Sequence, residues 1–403
     1  LGRLGELAWI FLRLGFVAFG GPAAHIAMME EEFVVRKKWI ERQHFLDLIG
    51  ATNLIPGPNS TEMTMHVGYE RGGWPGLMVA GFSFILPAAL ITGAFAWLYV
   101  EYGSIPEMAP LLFGIKPAVI AVILGAVWRL GRKAVRGWRL AVLGVAVAVA
   151  VLGGVGEITA LLVGGVLGAL WLRSSGAGDH RTANALLPVL FLQGSGGVVV
   201  PASKTAEVGA LSVAGGTLAG VGPAAVGGAA ALSLWKVFFF FLKIGAVLYG
   251  SGYVLVAFLE GGLVQGTGWL TQGQLLDAIA VGQFTPGPVL STATFIGYVL
   301  DGAGGAAVAT LGIFLPSFLF VLLLNPLIPR MRQSVWLSVF LDSVSVAAVA
   351  LMLAVTVELG VTTLTSWPAW TIAVLAAVLA LRFKVNAAWL VLGGGLLGLL
   401  LGR

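Results

Sequence analysis

Residues 11–58 and 241–288 are two copies of one segment. Sliding the first over the second at an offset of 230 gives identity at fifteen of forty-eight positions. They include Glu30/Glu260, Trp39/Trp269, Asp47/Asp277 and Pro56-Gly57-Pro58 against Pro286-Gly287-Pro288. After a one-residue slip the match continues through Gly68/Gly297, Tyr69/Tyr298, Gly76/Gly305 and Pro87/Pro316. Apolar helices share Leu, Val and Ala by composition alone, but not Glu, Trp, Asp and Pro-Gly-Pro in register. The chain reads as a tandem duplication, with halves at 1–173 and 234–403 joined by a Gly/Ala/Ser-rich connection at 174–233.

The setting is a membrane. Of 403 residues, 58% are hydrophobic and 10% charged, against roughly 25% charged in a soluble domain. Stretches such as 76–100 and 335–357 are long enough to cross a ~30 Å hydrocarbon core as helix. Fifty-eight glycines suit close helix packing in lipid. The chain has no cysteine and four scattered histidines, so neither disulfides nor a metal centre is expected. No cleavable signal peptide is legible in the first apolar segment, which contains Arg13 and a Gly-Gly-Pro break. The net charge of +5 lies mainly in short loops, which is membrane topology and not nucleic-acid binding.

Loop charges then orient the halves. Arg36, Lys37, Lys38 and Arg42 lie near 31–44, and five basic residues lie at 129–139, whereas 101–110 holds only Glu101 and Glu107. Both basic loops lie inside if segment 45–69 dips into the membrane and returns. Its arms, 45–55 and 59–69, are each about 16 Å of helix, half a bilayer. The second half carries the opposite pattern, with Glu260 and Asp301 where the first is basic, and Arg330 and Arg332 where it is acidic. The expected fold is an all-α polytopic membrane protein of two inverted-topology repeats. Each has about five transmembrane helices plus a re-entrant broken-helix hairpin. With the first segment counted as a full span, the N-terminus and Arg3 fall outside.

Inverted-repeat transporters bind substrate near the midplane with broken helices. A helix restarting after Pro-Gly-Pro presents unpaired N–H groups and a positive dipole end, which suit an anion. Asn59, Ser60 and Thr61 follow the first break; Ser291 and Thr292 follow the second. Exposed non-helical backbone is not tolerated in lipid, so both tips must lie inside protein.

The segments "FGGPAAHIAMMEEEFV", Trp39-Ile40, "IPGPNSTEM", "VGYERGGWPG" and "QFTPGPVLSTATFIGY" resemble the signature segments of the chromate ion transporter family in its long, two-domain form. The resemblance covers both halves and omits 174–233. It implies secondary active export of CrO₄²⁻ across the bacterial cytoplasmic (inner) membrane, and chromate resistance. Residue physics alone reaches an inverted-repeat transporter with anion-suited broken helices. Sulfate or molybdate would look much the same to backbone amides, and an anion channel would use the same breaks. No hydrolase or metalloprotease motif points to an enzyme.

Intramembrane charges are functional candidates. Arg13 aligns with Lys243, and Lys116 stands where Ser345 lies in the other half; these bases could compensate a dianion or merely snorkel. Gly20-Gly21-Pro22 and Gly250-Ser251-Gly252 form a second pair of breaks that could add backbone donors. Glu62, Glu30, Glu260 and His66 are proton-coupling candidates, with loop-edge pairing as the plainer role for Glu30 and Glu260. Asp47 and Asp277 are expected to cap the entering arm of each hairpin. The expected partners are an oxyanion, a coupling proton, membrane lipid and a second copy of the chain as a homodimer. No cofactor and no nucleic acid are expected.

Overall fold

The computed structural model describes residues 2–19, 21–103, 105–174, 233–249, 252–324 and 334–401. Gly20, Gly250, Ser251, Arg330, Arg332 and all but the ends of the connection lie outside them. The described residues are helical, without strands. Five helical stretches have the length and apolarity to cross a membrane.

The first half opens with α1 (Arg3–Val17) and α2 (Pro22–Glu30), the latter continued by a wider turn, Glu31–Arg36. They form an antiparallel hairpin. Lys37 Nζ lies 2.7 Å from Glu6 Oε1, Arg13 Nη2 lies 2.9 Å from Glu32 Oε2, and the Phe11 and Phe33 rings are 5.2 Å apart. The return uses Gly21 at φ +77 with Pro22 starting the second helix, a conformation and a position suited to those residues. The segment expected to cross as one span therefore doubles back, and Arg3 lies on the same face as Arg36 and Lys37. The second half repeats this in α8 (Leu234–Val247) and α9 (Leu255–Leu259). There a Cβ on Gly262 would stand 2.6 Å from the Phe240 ring.

The next hairpin is the one expected from the sequence. Helix α3 (Arg42–Thr52) enters, Pro-Gly-Pro turns the chain, and α4 (Asn59–Tyr102) returns. His44 Nε2 lies 3.3 Å from Glu70 at the open end, and Asn59 Nδ2 lies 2.7 Å from Asn53 Oδ1 at the tip. Helix α4 reverses at Gly72-Gly73, where Gly73 has φ +61. On a straight helix Gly68 and Gly76 would be about 12 Å apart; here a Cβ on Gly68 would stand 3.0 Å from the Gly76 carbonyl carbon. In the other half α10 (Gln272–Phe284) and α11 (Thr292–Leu324) match this, with the reversal at Asp301-Gly302.

Glycines set the closest approaches. A Cβ on Gly15 would stand 2.8 Å from the Phe84 carbonyl and 2.9 Å from the Pro87 ring. Helices α1 and the later part of α4 therefore pack backbone to backbone beside Pro87. Gly245 meets Pro316 in the same way.

The halves also exchange their C-terminal helices. Helices α6 (Trp138–Leu152) and α7 (Glu157–Ser174) pack on α12 (Val335–Thr363) of the second half. Helices α13 (Trp367–Arg382) and α14 (Ala387–Leu401) pack on α5 (Ala109–Ala134) of the first. A Cβ on Gly168 would stand 2.8 Å from Ser343, and one on Gly398 would stand 2.7 Å from the Gly114 backbone. Gly168 and Gly398 match at the 230-residue offset, and their partners Gly114 and Ser343 at the one-residue slip. The exchanged packing gives each apolar helix a partner that its own half does not supply.

Candidate functional site

Both Pro-Gly-Pro triplets are buried, and each meets the first helical break of the opposite half. The Gly57 N–H donates to the Leu248 carbonyl at 2.7 Å, and the Gly287 N–H donates to the Ala18 carbonyl at 2.9 Å. Ala18 and Leu248 are themselves matched at the 230-residue offset. Hairpins from opposite faces thus join tip to tip deep in the protein.

Helix α4 starts at the first tip with no side-chain cap. The N–H groups of Thr61 and Glu62 return to the Pro58 carbonyl at 2.8 and 3.0 Å. Those of Asn59 and Ser60 stand ahead of the helix's own bonding pattern. The second tip begins with a tighter turn, Val289–Ser291. Its hydroxyls have protein partners: Thr92 donates to Ser291 Oγ at 3.2 Å, and Thr292 donates to the Val289 carbonyl at 2.8 Å.

The first tip differs. Thr61, Glu62 and Ser317 are fully buried, yet Thr61 Oγ1, both Glu62 carboxylate oxygens and Ser317 Oγ lack a hydrogen-bond partner. Buried polar groups are rarely left so. A Cβ on Gly57 would fall on both Glu62 Oε1 and Ser317 Oγ. Tyr249 neighbours Glu62 from the other half. His66 is buried one turn further along α4, and Ser60 is buried beside the tip.

The intramembrane bases face carboxylates. Arg13 pairs with Glu32, which also takes Arg36 at 2.9 Å. Lys116 Nζ lies 3.8 Å from Asp277, and Lys243 neighbours Glu157. Arg13 and Lys243 are exposed on their helices, so both are set apart from the buried tips. Glu30 pairs with Arg42 at 3.2 Å, the plainer role expected for it. Glu260 is buried near Glu157 and Glu358, with Oε2 unpartnered. Asp47 and Asp277 sit inside their helices, not at the starts. The second entering arm is capped instead by Thr271 with Gln274, and Asp277 accepts from Tyr99 Oη at 3.0 Å. The capping role failed because α3 and α10 begin five residues earlier than those acids.

A cavity of about 560 Å³ opens at the mouth of the first Pro-Gly-Pro hairpin. Arg3, Trp39, His44, Glu70 and Arg71 line it, and the Arg71 guanidinium stacks 4.4 Å from the Trp39 ring.

Comparison with known proteins matches this duplicated architecture. The sequence model of the chromate transporter family matches residues 5–169 and again 235–399. The chain belongs to the chromate transporter family. A chromate transport protein of Pseudomonas aeruginosa is 32% identical over 96% of this chain and 90% of its own. One of Cupriavidus metallidurans is 31% identical over 98% and 92%. A probable chromate transport protein of Synechococcus elongatus is 30% identical over 93% and 89%. No solved structure matches significantly. Like the chromate transporters it resembles, this is a multi-pass membrane protein. Of the residues at the first tip, Ser317 and Tyr249 were not read from sequence. Ser317 follows Pro316, whose repeat partner Pro87 is followed by Ala88, and that Ser/Ala difference was the available signal.

Proposed function

We propose that this protein exports chromate, or another tetrahedral dianion such as sulfate, from the bacterial cytoplasm across the inner membrane. The anion is held near the midplane, between the two Pro-Gly-Pro helix breaks. The reciprocal bonds of Gly57 and Gly287 across the halves carry this reading. Each fastens a Pro-Gly-Pro tip to the end of the opposite half's first helix inside protein, beside a helix start whose N–H donors and dipole end favour an anion. Pro56, Gly57, Pro58, Asn59, Ser60 and Thr61 form one side of the seat; Pro286, Gly287, Pro288, Ser291 and Thr292 form the other.

The bases contribute field, not contact, because each already faces a carboxylate. Arg3, Arg36, Lys37, Arg42 and Arg71 gather on the face where the first-half hairpins open, which is cytoplasmic by the positive-inside rule. The cavity beside Arg71 lies at that mouth and draws anions from the cytoplasm.

Glu62 couples transport to a proton. An ionised carboxylate in the first turn of α4 competes with the anion for the same helix end, and a protonated one does not. Proton and anion binding therefore assist each other.

Chromate flux into inverted vesicles under imposed proton or sodium gradients tests the reading. Uphill chromate accumulation driven by a proton gradient is expected. Purely downhill flux would make the protein a channel, and flux that follows sodium alone would remove Glu62 from coupling.

A further inference from the structure

We infer that the anion is held by one tip, not shared equally by two, and that Ser317 is its hydroxyl ligand from the opposite half; this rests on the reading proposed above. The two tips make matching cross-half bonds but differ in their unsatisfied groups. Glu62 Oε1 and Ser317 Oγ both occupy the place a Cβ on Gly57 would take, with Thr61 Oγ1 on the following turn. All three side chains are fully buried, and none of these oxygens has a hydrogen-bond partner.

Around Gly287 the nearest groups are the Ala88 methyl at 2.9 Å and the carbonyls of Gly15 and Phe84 at 3.3 and 3.8 Å. Carbonyl oxygens can only accept and a methyl offers no donor, whereas Glu62 at the first tip can donate once protonated. The hydroxyls of Ser291 and Thr292 are already bonded within the protein. Among the positions where the repeats differ is Ser317 against Ala88, which puts a fully buried, unpartnered hydroxyl beside the first tip, whereas Ser291 at the second already accepts from Thr92.

An oxyanion there accepts from the Ser317 and Thr61 hydroxyls and from the N–H groups of Asn59 and Ser60. A tetrahedral dianion has acceptor oxygens for all four. Because Ser317 belongs to α11 and Gly57 to the other half, the anion bridges the two halves at the point where they move against each other.

The test uses the full chain in lipid nanodiscs, with inorganic chromate titrated calorimetrically and the melting temperature recorded for each variant. Ser317→Ala removes a hydroxyl with no partner in the fold, so the melting temperature should hold or rise. Chromate affinity should fall about tenfold or more. Ser317→Thr keeps the donor and should stay within about threefold of the unaltered protein, and the stoichiometry should be one chromate per chain. Unchanged affinity in Ser317→Ala, or two chromates per chain, would overturn the inference and leave the transport reading standing. A parallel loss of affinity and melting temperature in Ser317→Ala would make Ser317 a structural residue and overturn it equally. If the unaltered chain binds no chromate, the transport reading falls as well.

Discussion

The Gly57 N–H and the Leu248 carbonyl, 191 positions apart in sequence, are joined at 2.7 Å. The bond fastens the tip of a hairpin entering from one face to a helical break entering from the other, and Gly287 with Ala18 repeats it at 2.9 Å. A backbone donor used in this way cannot also bind the anion. The glycine N–H groups therefore lock each tip to the first break of the opposite half, and the following residues are left to bind.

Gly57 has φ +143 and no room for a side chain, because Glu62 and Ser317 occupy the place of its Cβ. Gly57→Ala should lose about 1–3 kcal/mol of stability from backbone strain alone, more from the overlap, and all chromate flux. Gly154→Ala is the control, since φ +93 brings the strain but nothing stands within 4 Å. It should be destabilised by the strain alone and keep its flux. Equal losses in both variants, by thermal unfolding and vesicle uptake, would show that the tip has no special role.

The topology predicts labelling from one side at positions 3, 34 and 133 and from the other at 105. The natural absence of cysteine gives a clean background. Single substitutions Arg3→Cys, Val34→Cys, Lys133→Cys and Ile105→Cys, probed with an impermeant thiol reagent, decide it. Reaction at 3 from the side of 105 would restore the first segment to a full span. Reaction of 34 and 133 from opposite sides would remove the re-entrant hairpin.

The exchange of α6 and α7 for α13 and α14 implies that neither half folds alone. Fragments separated within the connection should each be degraded or aggregate when expressed singly. Expressed together, they should co-purify and restore chromate resistance. A monodisperse, helical single half would contradict the exchanged packing.

Glu62→Gln has the shape of the protonated acid. It should bind chromate as tightly as the unaltered protein at low pH or more so, with the pH dependence of binding flattened and net transport slowed. The sign follows from linkage: if protonation favours the anion, affinity in the unaltered protein rises as pH falls. Comparing variant and unaltered protein at each pH cancels the titration of chromate itself. Glu62→Ala, which also removes a hydrogen-bonding group, should bind more weakly. Wild-type rate and pH profile in Glu62→Gln would reduce Glu62 to an acid at a helix start.

Several features were fixed along the chain itself. Composition and span length placed it in a membrane, the 230-residue register made it a duplication, and alternating loop charges made the copies inverted. Pro-Gly-Pro marked both helix breaks, because missing donors and steric clash act locally whatever the surroundings. Tertiary structure alone decided which apolar helix packs on which. The faces of α5, α6, α12 and α13 are nearly interchangeable in composition, and only their fit, glycine against backbone, separates an exchanged pairing from a closed half. The same holds for charge. Along the chain Arg13 could compensate a dianion or snorkel; the hairpin folds Glu32, nineteen residues on, back against it. Ser317 acquires its neighbours only when the opposite tip packs beside it. Local chemistry determines where a chain must break; only packing across hundreds of residues decides what meets at the break.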